Sequence, residues 1–104
     1  MNTIIKDFCN NYLQDKDKIT FEDLNDNYQT CEHFFNTLEL TTIEYDTLLD
    51  FSDCFYQAIV MLYSILNWEY LPIKDDEDLK RAFKDKFSEC IDNSYRIAER
   101  IINE

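Results

Sequence analysis

Apolar residues recur at helical spacing along almost the whole chain, and that periodicity fixes the fold class. Ile4, Ile5, Phe8, Cys9, Tyr12 and Leu13 form a short first stripe, which the alternating charges of Asp15, Lys16, Asp17 and Lys18 interrupt. Phe21, Leu24, Tyr28, Cys31, Phe35 and Leu38 then follow at separations of three and four residues, the pattern of an amphipathic helix. Thr20 with Asp23, and Thr41 with Glu44, have the spacing of N-terminal capping pairs and mark two helix starts. The third helix carries a main stripe of Leu48, Phe51, Phe55, Ala58, Leu62 and Ile65 and a second stripe of Tyr45, Tyr56, Ile59 and Tyr63. Pro72 breaks the chain after it. Asp75, Asp76, Glu77 and Asp78 open the last helix, where the dipole favours negative charge. That helix carries Leu79, Phe83, Phe87, Cys90, Ile91, Ile97, Ile101 and Ile102.

Strand signals are nearly absent. The expected fold is all-α: one domain over residues 1–104, a compact assembly of four helices of about 12, 18, 26 and 28 residues. The first helix is expected to be short and peripheral, the third and fourth long. Apolar residues make up 45% of the chain, with eight Phe, seven Tyr and one Trp, enough to bury a core and unlike a disordered composition.

Several activities are excluded by residue type. Glycine is absent, so no P-loop, dinucleotide-binding GxGxxG, kinase glycine loop or GxSxG elbow is present. His33 is the only histidine, and Cys31 lies two residues from it, a spacing that points the two side chains apart on a helix. Catalysis by a Cys–His or Ser–His–Asp set therefore has no support. The four cysteines, Cys9, Cys31, Cys54 and Cys90, form no CxxC pair and each sits beside an apolar neighbour at helical spacing. They are expected to be buried, reduced thiols rather than zinc ligands. No metal or cofactor is expected. The N-terminal segment lacks the basic and apolar regions of a signal peptide, and the stretch Cys54 to Leu66 is short of the roughly 20 residues a bilayer requires. A cytoplasmic protein with no membrane contact is the expectation.

Charge is the feature that speaks to function. The net charge is −12, and it is unevenly placed. Residues 19–70 contain no Lys or Arg but ten acids: Glu22, Asp23, Asp26, Glu32, Glu39, Glu44, Asp46, Asp50, Asp53 and Glu69. The last helix, by contrast, offers the acid-to-base pairs Asp76–Lys80, Glu77–Arg81 and Asp92–Arg96, each four residues apart. Asp46, Asp50 and Asp53 share one face of the third helix, opposite Leu48 and Phe55, and Glu22 and Asp26 share the outer face of the second. Like charges at that spacing repel, costing roughly 0.2–0.5 kcal/mol per pair. A chain so acidic is not expected to bind nucleic acid or an anionic membrane directly. Its charge suits a basic protein, such as a nuclease or another nucleic-acid-binding protein. A solvated, solubilising face is the simpler explanation of the same residues.

Trp68, Glu69 and Tyr70 fall in the connection between the third and fourth helices rather than in a stripe. A Trp and a Tyr beside an acid have the composition of an interface anchor, and a Trp that caps the end of a bundle has the same appearance. The partner-binding candidates are thus Glu22, Asp26, Asp46, Asp50, Asp53, Trp68, Glu69 and Tyr70. The Tyr45, Tyr56, Tyr63 stripe fits either the core or a homodimer face.

In size, charge and helicity the chain resembles phage-encoded nucleic-acid mimics, some anti-CRISPR proteins among them, and the acidic helical immunity proteins that block nuclease toxins. The resemblance implies an inhibitor that acts by binding, without turnover. Abundant Asn, Ile, Lys and Asp with three Ala fit an AT-rich phage or low-GC bacterial genome. Glu22-Asp23-x-x-Asp26 and Asp50-x-x-Asp53 are similar to the paired acidic motifs of the all-α (MazG-like) nucleoside triphosphate pyrophosphatases. That second resemblance implies Mg²⁺ held between facing helices. Here aspartates stand for most of the family's glutamates, and those helices carry no base to grip a triphosphate. A structural bundle that dimerises through its aromatic stripe is the remaining expectation.

Overall fold

The computed structural model describes residues 1–16 and 19–104. Four helices follow in order: α1 (Thr3–Gln14), α2 (Phe21–Thr37), α3 (Thr42–Leu66) and α4 (Glu77–Asn103). A single 3₁₀ turn, Trp68–Tyr70, lies between α3 and α4, and no strand occurs among the described residues. The four-helix, all-α expectation is met. The predicted break after α1 begins at Asp15 and Lys16; its remaining residues, Asp17 and Lys18, lie outside the described residues.

Each helix start has its cap. Thr20 and Asp23 form a complete capping box on α2, as Thr41 and Glu44 do on α3. Asn2 caps α1, and the Asp76 carboxylate accepts the Leu79 amide proton at the start of α4. Each such cap contributes about 1 kcal/mol. Among the described residues none has a positive φ, so none of their turns calls for a glycine.

The helices run up and down. α3 packs along α4 on one side and α2 on the other, and α1 packs on α4. Rings of α1 meet α3 in parallel register, Phe8 on Phe51 and Tyr12 on Phe55. The core therefore centres on α1 residues Ile5, Cys9 and Tyr12, with Leu24, Cys31 and Phe34 of α2, Leu48, Phe51, Phe55 and Ala58 of α3, and Cys90, Tyr95, Ala98 and Ile101 of α4. The expectation of a peripheral first helix is corrected. α1 is short, but Ile5 and Cys9 are fully buried and its rings sit at the centre of the aromatic cluster. Its place is fixed by polar contacts as well. The Tyr12 and Ser94 hydroxyls lie 2.6 Å apart in the core, and Glu44 accepts the Asn2 amide proton at 2.9 Å.

α1 spans less than half of α4, so the assembly is a rod of 47 × 24 × 20 Å. Its radius of gyration, 15.0 Å, exceeds the ~13 Å of a globular chain of this length. Length leaves much of α2 and α3 at the surface. α3 is also the one helix among the described residues long and apolar enough, by length and composition, to cross a membrane. Most of its apolar side chains divide between the core and the seam with α2, while Ile43 and Leu66 near its two ends are exposed.

Candidate interaction surface

Two antiparallel helices meet along an aromatic ladder, its residues seven apart on α2 and seven and eleven apart on α3. On α2 the residues are Phe21, Tyr28 and Phe35; on α3 their partners are Tyr63, Tyr56 and Tyr45. Ring centroids are 5.9, 6.0 and 5.2 Å apart. The sequence stripes that contained these residues read as core or as a dimer face, and the structure puts them at the edge of the core. Phe21, Tyr28 and Phe35 are half-buried, while Tyr45, Tyr56 and Tyr63 remain 47%, 57% and 59% exposed. Leu49 and Val60 are exposed on the same side of α3. The buried residue of α2 at this level is Phe34, one position from the predicted stripe, packed edge-on against Phe8.

Acids border this seam. Glu32 and Asp53 stand beside Tyr28, and burial together with those carboxylates and the Tyr56 hydroxyl holds the Tyr28 phenol above its ordinary range. Asp46, Asp50 and Asp53 are all exposed on α3, as expected. Glu22 and Asp26 are exposed on α2, but Asp26 lines a cavity with Phe8, Asn11, Tyr12 and Asp15 on the α1 side. The predicted acidic residues of α2 and α3 thus occupy two surfaces, one on each helix. Two acids are taken up by the fold itself. Asp23 completes the α2 cap. Glu44 accepts from the Thr41 and Asn2 amides, and these bonds hold its carboxyl below the usual carboxylate range.

Among the described residues the ion pairs are Arg81–Asp78 and Lys86–Glu89, at 3.9 and 3.8 Å, both within α4. The expected pairs Asp76–Lys80, Glu77–Arg81 and Asp92–Arg96 are not the ones formed. Asp76 is spent on its cap, Arg81 turns to Asp78, and Arg96 donates instead to the Asn93 side chain. No acid of residues 19–70 is in an ion pair among the described residues.

Trp68 requires a correction as a contact residue. It is only 4% exposed, its ring meets Phe83 edge-on at 5.2 Å, and its indole N–H donates to the Lys74 carbonyl. It caps the end of the bundle and fixes the turn. Glu69 and Tyr70 remain outside, Tyr70 at 80% exposure with Leu66 nearby in sequence and also exposed. This end lies about 20 Å along α3 from Asp53, so it is a patch separate from the acidic row.

The cysteines are free, three buried and Cys54 half-buried. Burial pushes the Cys9 and Cys31 thiols up to about 12 and Cys54 to about 11, which keeps them protonated and unreactive. No three His, Cys, Asp or Glu side chains among the described residues gather as a metal-binding group, so the two pyrophosphatase-like acidic motifs do not converge.

The chain matches no known protein family, no curated protein and no solved structure. Geometry and charge alone bear on what it does.

Proposed function

We propose that this chain is a binding protein that inhibits a nucleic-acid-binding protein by occupying its basic surface, in the manner of anti-CRISPR or immunity-type inhibitors. One observation carries the reading. Over residues 19–70 the surface of α2 and α3 offers carboxylates without a single Lys or Arg, and none of them is in an ion pair among the described residues. Unpaired exposed acids on a rigid helical face are free to meet cations on a partner, where close charge pairs contribute about 1.5–7 kcal/mol and speed encounter.

The test is functional displacement. The immobilised chain is used to capture partners from its native host, and each captured protein is assayed for nucleic-acid binding with and without the chain. A basic partner that loses its nucleic acid, with an association rate falling steeply as salt rises, supports inhibition. Capture only of further copies, or of partners whose nucleic-acid binding is untouched, refutes it.

The exposure of Tyr45, Tyr56 and Tyr63 favours a second reading, a structural bundle that dimerises through α3. Sedimentation separates the two: a salt-insensitive dimer belongs to the second.

A further inference from the structure

Resting on the binding reading above, we propose that the α2–α3 aromatic seam is the gripping part of the surface and that its occupant is an arginine-bearing segment of the partner protein. Tyr45, Leu49, Tyr56, Val60 and Tyr63 fall on one side of α3 and span about 27 Å of it. An apolar stripe of that length, left exposed and rimmed by polar groups, marks an interaction site. Its tyrosines are already held on one side by Phe21, Tyr28 and Phe35. A partner therefore orders little that is not ordered beforehand, which is how an interface hot spot gains affinity.

Charge selects the occupant. A second copy of the chain in a two-fold contact sets the same patch against itself. Here that gathers Glu32, Asp46 and Asp53 of both copies at one interface, with no base in residues 19–70 to answer them. A guanidinium group fits both properties of the seam at once. It stacks on a phenol ring and forks onto a carboxylate, and it sheds its water more readily than an ammonium. The central rung supplies those two elements together: the Tyr28–Tyr56 pair with Glu32 and Asp53 beside Tyr28. Lysine answers the charge but not the planar stacking, so arginine preference is the signature that separates this seam from bulk acidity.

The probe is a set of alanine-based helical peptides of about 20 residues, long enough to cover the stripe, carrying either Arg or Lys at identical positions. Titration into the full chain at low salt is followed by aromatic NMR signals and calorimetry. The Arg peptide is expected to bind at least about fivefold tighter than the Lys peptide, shifting Tyr28 and Tyr56. Tyr56→Ser should erase the preference, Tyr56→Phe should keep most of it, and Tyr70→Ser should leave it intact. Tyr56→Phe also guards against misfolding as the cause of a loss. Equal binding of the two peptides, or Arg preference that survives Tyr56→Ser, overturns the proposal. So does a dimer in sedimentation that Tyr56→Arg dissolves, or partition of the wild-type chain into phosphatidylcholine vesicles, since either result gives the stripe a different occupant. The seam and the inhibitor reading fail separately: a captured partner displaced from nucleic acid equally by wild type and Tyr56→Ser leaves inhibition standing and removes only the seam.

Discussion

Replacing Asp46, Asp50 and Asp53 together by Asn takes three charges off α3 while preserving side-chain size. Asp50 stands four residues from Asp46 and three from Asp53, so two like-charge neighbours disappear, each worth roughly 0.2–0.5 kcal/mol. No ion pair among the described residues opposes that gain; Lys86 of α4, which acts on Cys54 together with Asp50 and Asp53, offsets part of it. All three residues are exposed, none is in an ion pair among the described residues, and Asp46 lies beyond the first turn that Thr41 and Glu44 cap. The dipole term given up at Asp46 is correspondingly small. The triple variant should be more stable by about 0.4–1 kcal/mol at low salt, a rise in Tm of roughly 2–8 °C for a chain of this size. The gain should shrink as salt screens the repulsion. Thermal unfolding by circular dichroism at low and high salt measures it, with partner binding measured on the same samples. Stability should rise while binding falls. Asp78→Asn with Glu89→Asn is the control, because those acids face Arg81 and Lys86 and their loss should bring no gain. A drop in stability of the α3 variant would show that its acids are engaged within the fold. Unchanged binding would reduce the row to a solubilising surface.

Three further outcomes follow from named contacts. The Ser94 hydroxyl donates to the Ile91 carbonyl, so Tyr12 is the donor in the Tyr12–Ser94 bond. Ser94→Ala therefore removes one of two partners of the Tyr12 hydroxyl, which also meets the Tyr95 hydroxyl, and should cost about 1 kcal/mol, Tyr12→Phe about 1, and the double variant less than their sum in denaturant unfolding. Glu44 is held below the usual carboxylate range, chiefly by the Thr41 amide, so its charged form stabilises the folded state. That contribution is complete above its unfolded pKa and is lost as pH falls through the folded one. Wild type should therefore lose more stability on acidification than Glu44→Gln, and parallel curves from neutral pH downward would contradict this. Trp68→Ala should cost roughly 3–5 kcal/mol and Tyr70→Ala less than about 0.5 in the same unfolding assay, the buried ring against the exposed one.

Much of the architecture is legible in the residues. The capping pairs at Thr20 and Thr41 locate two helix starts, and the stripe through Leu48, Phe51, Phe55 and Ala58 is the α3 core. What periodicity cannot supply is which neighbour covers a face. Tyr28 and Phe35 lie in the same helical stripe as Leu24 and Cys31, yet α3 covers them only at the edge, and Phe34 is buried because α1 inserts above it. Ser94 and Ala98 line the core where α1 packs on α4, and small side chains there give no hydrophobic signal. For the candidate surface, the base-free run and the acids of α3 were readable directly. Asp26 is exposed, as its place on the α2 wheel implies, but that wheel does not reveal that α1 ends beside it. Trp68 was misleading for a related reason: a residue outside any stripe looks free until the 3₁₀ turn folds it back onto Phe83.

Packing does not demand the acidity of α2 and α3. Glu22, Asp46, Asp50 and Asp53 are exposed and unpaired among the described residues, so the fold accommodates a base at those positions as readily as an acid. α4 demonstrates this on the same scaffold, carrying six Lys and Arg among its acids with two ion pairs formed. Nor does solubility demand segregation, since net charge keeps a protein dispersed wherever it is placed. Bases confined to residues 1–18 and 71–104, and acids without an ion pair among the described residues beside an exposed row of tyrosines, make the surface directional. Direction has no value to a chain in isolation; it has value to one that must present a particular side to a cationic partner.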